Sequence, residues 1–172
     1  MEANGRMGNS WDYIMDLIKE NQIDRVVEIC NQMEEWECRY YKDKLIREIK
    51  YTKDKRNRNT IAIVLGDLKC NEAITTIVDL INMPQNKNCI GTLIYALQEL
   101  DCEKEIKKIM HVLFDGNLES KCNMYDLLLD KVDSMSKEDR LECFNILERE
   151  KCKLEEQLDF IEDIKQDIFI KC

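Results

Sequence analysis

Residues 60–81 recur, in pattern, at residues 92–113, and this repeat constrains the fold more than any other feature of the chain. Displaced by 32 positions, Ile61 falls on Leu93, Leu65 on Leu97, Leu68 on Leu100 and Cys70 on Cys102. Ile74 falls on Ile106, Ile77 on Ile109, Val78 on Met110 and Ile81 on Leu113, and Thr60 falls on Thr92. The matches sit at helical spacing, while the positions between them differ. A period of this length marks stacked helical pairs, each with a face it cannot bury alone.

Helix is expected throughout. The 172 residues include one proline and five glycines, which is little punctuation. No series of β-branched runs bounded by Gly, Pro and Asn appears. The expected class is all-α, in one continuous domain large enough for a substantial core.

Along the chain, Ser10 is suited to cap a helix from Trp11, with Ile14, Leu17 and Ile18 on its apolar face. Asn21 breaks or restarts it. Ile23, Val26, Val27, Cys30 and Met33 form a second stripe, and Leu45, Ile46 and Ile49 a third. Residues 22–55 fit two helices or one bent helix. The polar run "KDKRNRN" predicts a loop near Arg56–Asn59. Short helices are then expected over Thr60–Lys69, Asn71–Asn82, Asn88–Asp101 and Glu103–Phe114, with Pro84 stopping the second and Gly116 with Asn117 ending the last. A looser third copy follows. Leu129 and Val132 continue the first-helix pattern, and Leu141, Phe144 and Leu147 the second, after the linker "DSMSKED", in which Ser136 and Asp139 make a capping pair. The expected divisions are residues 1–58 as N-terminal helices capping the array, 59–151 as repeats, and 152–172 as a C-terminal capping helix.

The stretch "AIVLGDLKCNEAITTIVDLI" resembles a HEAT repeat, especially the short bacterial type also found in phycobilisome lyases. The matching residues are Ala62, Leu65, Gly66, Leu68, Ala73, Ile74, Ile77, Leu80 and Ile81. The second copy keeps Leu97 and Leu100, but has Gln98 for the glycine and Glu105 for the second alanine. The resemblance spans about residues 59–150 and implies an α-α superhelix, a solenoid of helical hairpins whose second helices line a concave face. By position, it implies that Glu72, Thr75, Thr76 and Asp79 face that concavity, then Lys104, Lys107, Lys108 and His111, then Arg140, Glu142 and Asn145. These are the expected partner-binding residues.

Several chemistries are disfavoured by composition. His111 is the only histidine, so schemes needing a histidine pair fail. The nine cysteines show no CxxC spacing, and they read as reduced, mostly apolar thiols rather than a metal site or a disulfide framework. No phosphate-binding glycine loop appears. The formal net charge of −9 is a poor match for free nucleic acid. Residues 39–58 nevertheless carry nine basic and three acidic side chains, with Tyr40, Tyr41 and Tyr51 among them. That segment reads as a solvated helix packed through Leu45, Ile46 and Ile49, with RNA binding as the alternative. Trp11 and Trp36 read as caps on an open core, with an exposed binding patch as the alternative. The N-terminus lacks the apolar core of a secretory signal, and no apolar run approaches membrane length, so a cytoplasmic protein is expected.

The functional expectation is non-catalytic binding of a protein, with no cofactor or metal. The acidic surface suits a basic partner. One concrete form is an intracellular immunity or inhibitor protein against a basic toxin or nuclease. The alternatives are a HEAT-like enzyme, of bilin-lyase or nucleic-acid-glycosylase type, and a generic adaptor or assembly factor.

Overall fold

A computed structural model describes residues 11–170. Ser10, the expected first cap, lies outside the described residues. Within them the chain is all-helical: α1 Trp11–Lys19, α2 Ile23–Asn31, α3 Glu35–Tyr51, α4 Lys55–Asp67, α5 Ile74–Asn82, α6 Gly91–Gln98, α7 Val112–Asp115, α8 Leu118–Lys131 and α9 Lys137–Ile164. Short 3-10 turns cover Asn71–Ala73, Pro84–Asn86 and Ile106–Ile109, and a π-helical turn, Lys165–Ile170, follows α9.

The helices pack in two rows. In the first, α1 and α2 lie on α4, α4 on α6, and α6 on α8. In the second, α3 meets α5, α5 meets the 106–109 turn, and that turn meets α9. One core runs between the rows from Ile14 to Cys143. The repeated positions form its centre. Ile61, Leu65, Ile77, Leu93, Leu97, Ile106 and Ile109 are fully buried, and Cys70 and Cys102 nearly so. Burying each such aliphatic side chain contributes about 1.5–3 kcal/mol.

Helix ends follow local chemistry. Asn21 and Lys69 both adopt left-handed backbone, φ 61° and 50°. After α1, the Gln22 amide reaches the Leu17 carbonyl at 2.8 Å and the Asn21 amide that of Ile18 at 3.0 Å. The same pattern closes α4, from Cys70 to Leu65 at 2.9 Å and from Lys69 to Gly66 at 2.8 Å. These paired bonds satisfy carbonyls that a helix end leaves open. Asn21 therefore does separate two helices. Residues 22–55 contain α2 and α3 as distinct helices, joined by a turn at 32–34.

Gly66 sits where α4 crosses α6. A Cβ there would lie 2.8 Å from the carbonyl oxygen of Ala96. Polar contacts join successive elements within each row at intervals close to the repeat length. Asn59 donates to Thr92 at 3.2 Å, Asn123 to the Gly91 carbonyl at 3.0 Å, and Lys107 to Asp139 at 3.0 Å. Asn71 holds the Asp101 amide at 3.0 Å, and one unit later Ser134 donates to Glu103 at 3.2 Å.

Several local expectations need correcting. Arg56–Asn59 is not a loop but the first turn of α4. Asp54 caps that helix, accepting the Arg56 amide at 2.8 Å and the Asn57 amide at 3.2 Å, and lysine and arginine are good helix formers. Residues 103–114 do not form one helix. A 3-10 turn covers Ile106–Ile109 and the short α7 begins at Val112, with Ile106, Ile109, Met110 and Val112 all buried. Gly116 does end a helix, as the C-cap of α7 with extended backbone (φ −69°, ψ 162°) and its amide on the Val112 carbonyl at 2.9 Å, but Asn117 starts α8 instead, accepting the Ser120 amide at 2.8 Å. The expected divisions at 58/59 and 151/152 both fall inside helices, α4 and α9. Residues 151–163 are exposed throughout, so they cover no core.

Candidate functional site

Helix α8 packs on α6 through Ser120, Met124 and Leu127, all fully buried, and leaves a second apolar face open. Tyr125, Leu129 and Val132 on α8 occupy the register of Ile61, Leu65, Leu68 and of Leu93, Leu97, Leu100. Those six are at most 5% exposed, whereas Tyr125, Leu129 and Val132 are 59%, 60% and 37% exposed. Leu141, Phe144 and Leu147 of α9 stand across from them and are exposed too. Between α8 and α9 lies a cavity of about 380 Å³, lined almost wholly by apolar side chains, with Met110, Leu113, Leu128 and Cys143 in its wall.

The linker between the helices is tied to the start of α9. Ser136 caps α9, accepting the Asp139 amide at 3.0 Å while its hydroxyl donates to the Asp139 carboxylate at 2.7 Å. Arg140 donates to the backbone carbonyls of Met135 and Asp133, each at 3.2 Å, and so fastens the linker to the first turn of α9. Lys107 grips the same turn by ion pairs to Asp139 at 3.0 Å and Glu142 at 2.7 Å. The Ser136 hydroxyl, and after it the Lys107 ammonium, hold the Asp139 carboxyl below its ordinary range. The two carboxylates raise the Lys107 ammonium above its own.

Beyond the groove, α9 continues without support. Phe144, Leu147, Lys151, Leu154, Leu158, Ile161 and Lys165 follow alternating steps of three and four, the spacing of a coiled-coil seam. Leu154, Leu158 and Ile161 are all more than half exposed. Glu148, Glu155 and Glu162 recur every seven residues along one flank. At about 1.5 Å per residue, the 28 residues of α9 extend roughly 42 Å. Its apolar members run from Phe144 to Ile161, about 26 Å, interrupted by Lys151, and an exposed stripe of this kind is a site for another surface.

The residues expected from the sequence lie elsewhere, or are divided. Lys107, Lys108, Glu142 and Asn145 come together in one shallow depression with Ile146 and Arg149. Its positive charge is largely neutralised, because Lys107 is paired as above and Lys108 pairs with Glu105 at 2.5 Å. Glu72 lies apart from them, in a depression shared with Arg39, Lys42 and Lys69. Its backbone hydrogen bond is the largest cause holding its carboxyl below the ordinary range. Thr75 and Asp79 are exposed on α5, with Thr76 partly buried. Lys104 is exposed in the turn before Ile106. His111 is exposed and lines a small recess with Met83, Pro84 and Asp115. Arg140 lines the apolar groove rather than the polar row.

The chain matches no family model, no curated protein and no solved structure. Chemical inference therefore rests on the side chains themselves. Among the described residues, no group of three His, Cys, Asp or Glu is placed to hold a metal ion. Burial pushes the thiols of Cys30, Cys70 and Cys102 up to about 12, which keeps them protonated and unreactive. No helix among the described residues is long and apolar enough to cross a membrane. In the basic segment, Leu45 and Ile49 are fully buried and Tyr41 stacks on Trp11 at 6.3 Å between ring centroids, so this helix is packed through its apolar side. Trp11 packs against the core, whereas Trp36 is 73% exposed and caps nothing.

The groove was hidden in the sequence because its residues carry the same pattern as buried ones. Leu129, Val132, Leu141, Phe144 and Leu147 read as core of a third unit. Two signals distinguish them. The linker before α9 is longer than the earlier turns, and the three-four spacing runs far past the length of one repeat.

Proposed function

We propose that this protein is a non-catalytic protein-binding module, an α-α superhelix of HEAT-like hairpins whose open third unit receives an amphipathic helix from another protein. The observation that carries this reading is the exposure of Tyr125, Leu129 and Val132 in a register that is buried in both preceding units. A helix laid in the groove would take the place that the next unit takes elsewhere in such an array. The seam on α9 extends that contact past the end of the groove.

The charge on α9 selects the occupant. Glu148, Glu155 and Glu162 flank the seam, with Glu155 and Glu162 partly offset by Lys151 at 3.8 Å and Lys165 at 2.7 Å, so a second α9 laid antiparallel would bring this acidic flank against its own copy. A basic helix, with Lys or Arg beside its own apolar stripe, is complementary. An inhibitor or immunity protein that neutralises a basic toxin or nuclease is one concrete form of this reading, resting on charge and architecture. In a HEAT-like superhelix the row from Glu72 through Lys107 to Asn145 would add a polar rim on the concave side.

The test uses synthetic helical peptides with leucine at the seam positions and either lysine or glutamate at the flanks. Binding of each to the full chain is followed by fluorescence anisotropy. The lysine peptide is expected to bind saturably, and the glutamate peptide at least about tenfold more weakly. Leu129→Ser with Leu158→Ser should abolish binding without loss of helicity. Equal binding of both peptides, or binding that survives the double substitution, would overturn the proposal. So would concentration-dependent dimerisation of the chain alone that the double substitution removes, since the occupant would then be a second copy.

A further inference from the structure

A second site stands apart from the groove, where α3 ends and α4 begins. Lys50, Thr52, Lys53, Lys55 and Arg58 line a cavity of about 280 Å³, closed on the far side by Leu80, Met83 and the turn at Gln85–Asn86. Residues 50–58, "KYTKDKRNR", carry five basic side chains and one acidic one, a net +4 in a chain of net −9. That acid, Asp54, is committed to capping α4.

Arg58 is the unusual member. It is only 5% exposed, yet every group it reaches is neutral. Its Nη1 donates to Asn86 Oδ1 at 2.5 Å, and its Nη2 to the Cys89 carbonyl at 3.4 Å and to the Cys89 sulfur at 3.1 Å. Its Nε is buried with no partner. Among the described residues, no carboxylate forms an ion pair with Arg58, Lys50, Lys53 or Lys55. Buried guanidinium groups are ordinarily compensated by a counter-charge, because removing a cation from water is costly. Asn86 is itself held in place, donating to the Leu80 carbonyl at 2.8 Å, so Arg58 is fixed and cannot swing out to solvent without breaking this chain of bonds.

We infer that this cavity binds a phosphate group, either free or as the head of a small ester, with Arg58 as the fixed buried cation and Lys50, Lys53 and Lys55 closing around the anion. Guanidinium and ammonium donors together suit a multiply charged oxyanion with several acceptor oxygens. A water occupies about 30 Å³ of liquid, so the space exceeds the need of a bare halide. The apolar side chains of Leu80 and Met83 give the organic part of an ester a surface to rest on. This site has no part in the partner groove, and it stands or falls separately.

The test is titration calorimetry of the full chain at fixed ionic strength, with inorganic phosphate, glycerol phosphate and, as controls, chloride and glycerol. Saturable one-site binding of phosphate or glycerol phosphate is expected, with no heat of binding for either control. Lys53→Ala with Lys55→Ala removes two exposed cations and should leave the fold intact while weakening binding at least about tenfold. Lys137→Ala with Lys153→Ala removes two exposed cations on α9, outside both the cavity and the seam, and should leave phosphate binding unchanged. Tighter binding of the ester would assign Leu80 and Met83 to its organic part, and equal binding would assign the site to the free ion. No saturable binding by either phosphate species, or equal weakening by both pairs of substitutions, would overturn the assignment.

Discussion

Gly66→Ala tests the packing of the two rows at its tightest point. The new Cβ would lie 2.8 Å from the Ala96 carbonyl oxygen and 3.5 Å from the Ala96 carbonyl carbon and Cα. Carbon–oxygen contacts of this kind settle at about 3.3–3.6 Å, so α4 and α6 must part by roughly half an ångström. A gap of that size forfeits about a quarter of the dispersion attraction at each contact it opens. Overpacking of this sort costs about 1–3 kcal/mol. Replacing a helical glycine with alanine returns about 1 kcal/mol of helix propensity. The net expectation is a destabilisation of up to about 2 kcal/mol, or a fall in Tm of up to about 8 °C for a chain of this size. Urea denaturation followed by circular dichroism measures it. Because the opposing atom is backbone, Ala96→Gly cannot relieve the clash, and the double substitution should be at least as unstable as Gly66→Ala alone. A gain of about 1 kcal/mol from Gly66→Ala, the bare propensity effect, or rescue by Ala96→Gly, would show that the two helices part freely and that the close approach is not what Gly66 provides.

Three further outcomes are expected. Lys69→Gly should stabilise the chain by about 1 kcal/mol in the same denaturation assay, because left-handed backbone strains a residue with a Cβ, and the exposed pair with Glu99 that is lost contributes little. Ser136→Ala should cost about 1 kcal/mol through loss of the α9 cap, with hydrogen exchange rising first at Lys137–Arg140. The exposed thiols of Cys122 and Cys152 should alkylate rapidly in the native protein, while Cys30, Cys70 and Cys102 react only after unfolding. The same three thiols set a pH dependence. Their folded pKa values lie above the unfolded value of about 8.5, so their contribution is fully present below that pH and is lost as pH rises toward about 12. Urea midpoints measured from pH 7 to 11 should therefore stay level at first and then fall.

The all-helical class and the central core were legible in the sequence, because both follow from periodicity. Each position matched between the two copies through Val78 and Met110 is buried, apart from Thr92, which is partly buried while Thr60 is buried. Boundaries were less legible where two signals compete. "KDKRNRN" has a loop's polarity but a helix's propensities, and the cap at Asp54 decides the outcome. Residues 103–114 carry apolar spacings of both three and four, and the chain takes a 3-10 turn over Ile106–Ile109 before α7 begins at Val112. The groove was least legible, because an apolar residue facing a neighbour and one awaiting a neighbour look the same in sequence. Arg58 was hidden differently. Its burial depends on Asn86, 28 residues away, and only the folded chain brings the two together.

The long-range side-chain hydrogen bonds between elements join residues 26 to 39 positions apart. Helices are thus tied mainly to those near them along the chain, and α9 is held only at its first turns. Contacts so close along the chain favour rapid folding and make local opening graded rather than all-or-none. Amides of α4 and α6 should exchange most slowly, those of α8 faster, and those beyond Lys151 fastest of all. A ligand seated on α9 would therefore stiffen the part of the molecule that opens most readily, and its presence could be read from exchange in that helix while the centre stayed unchanged.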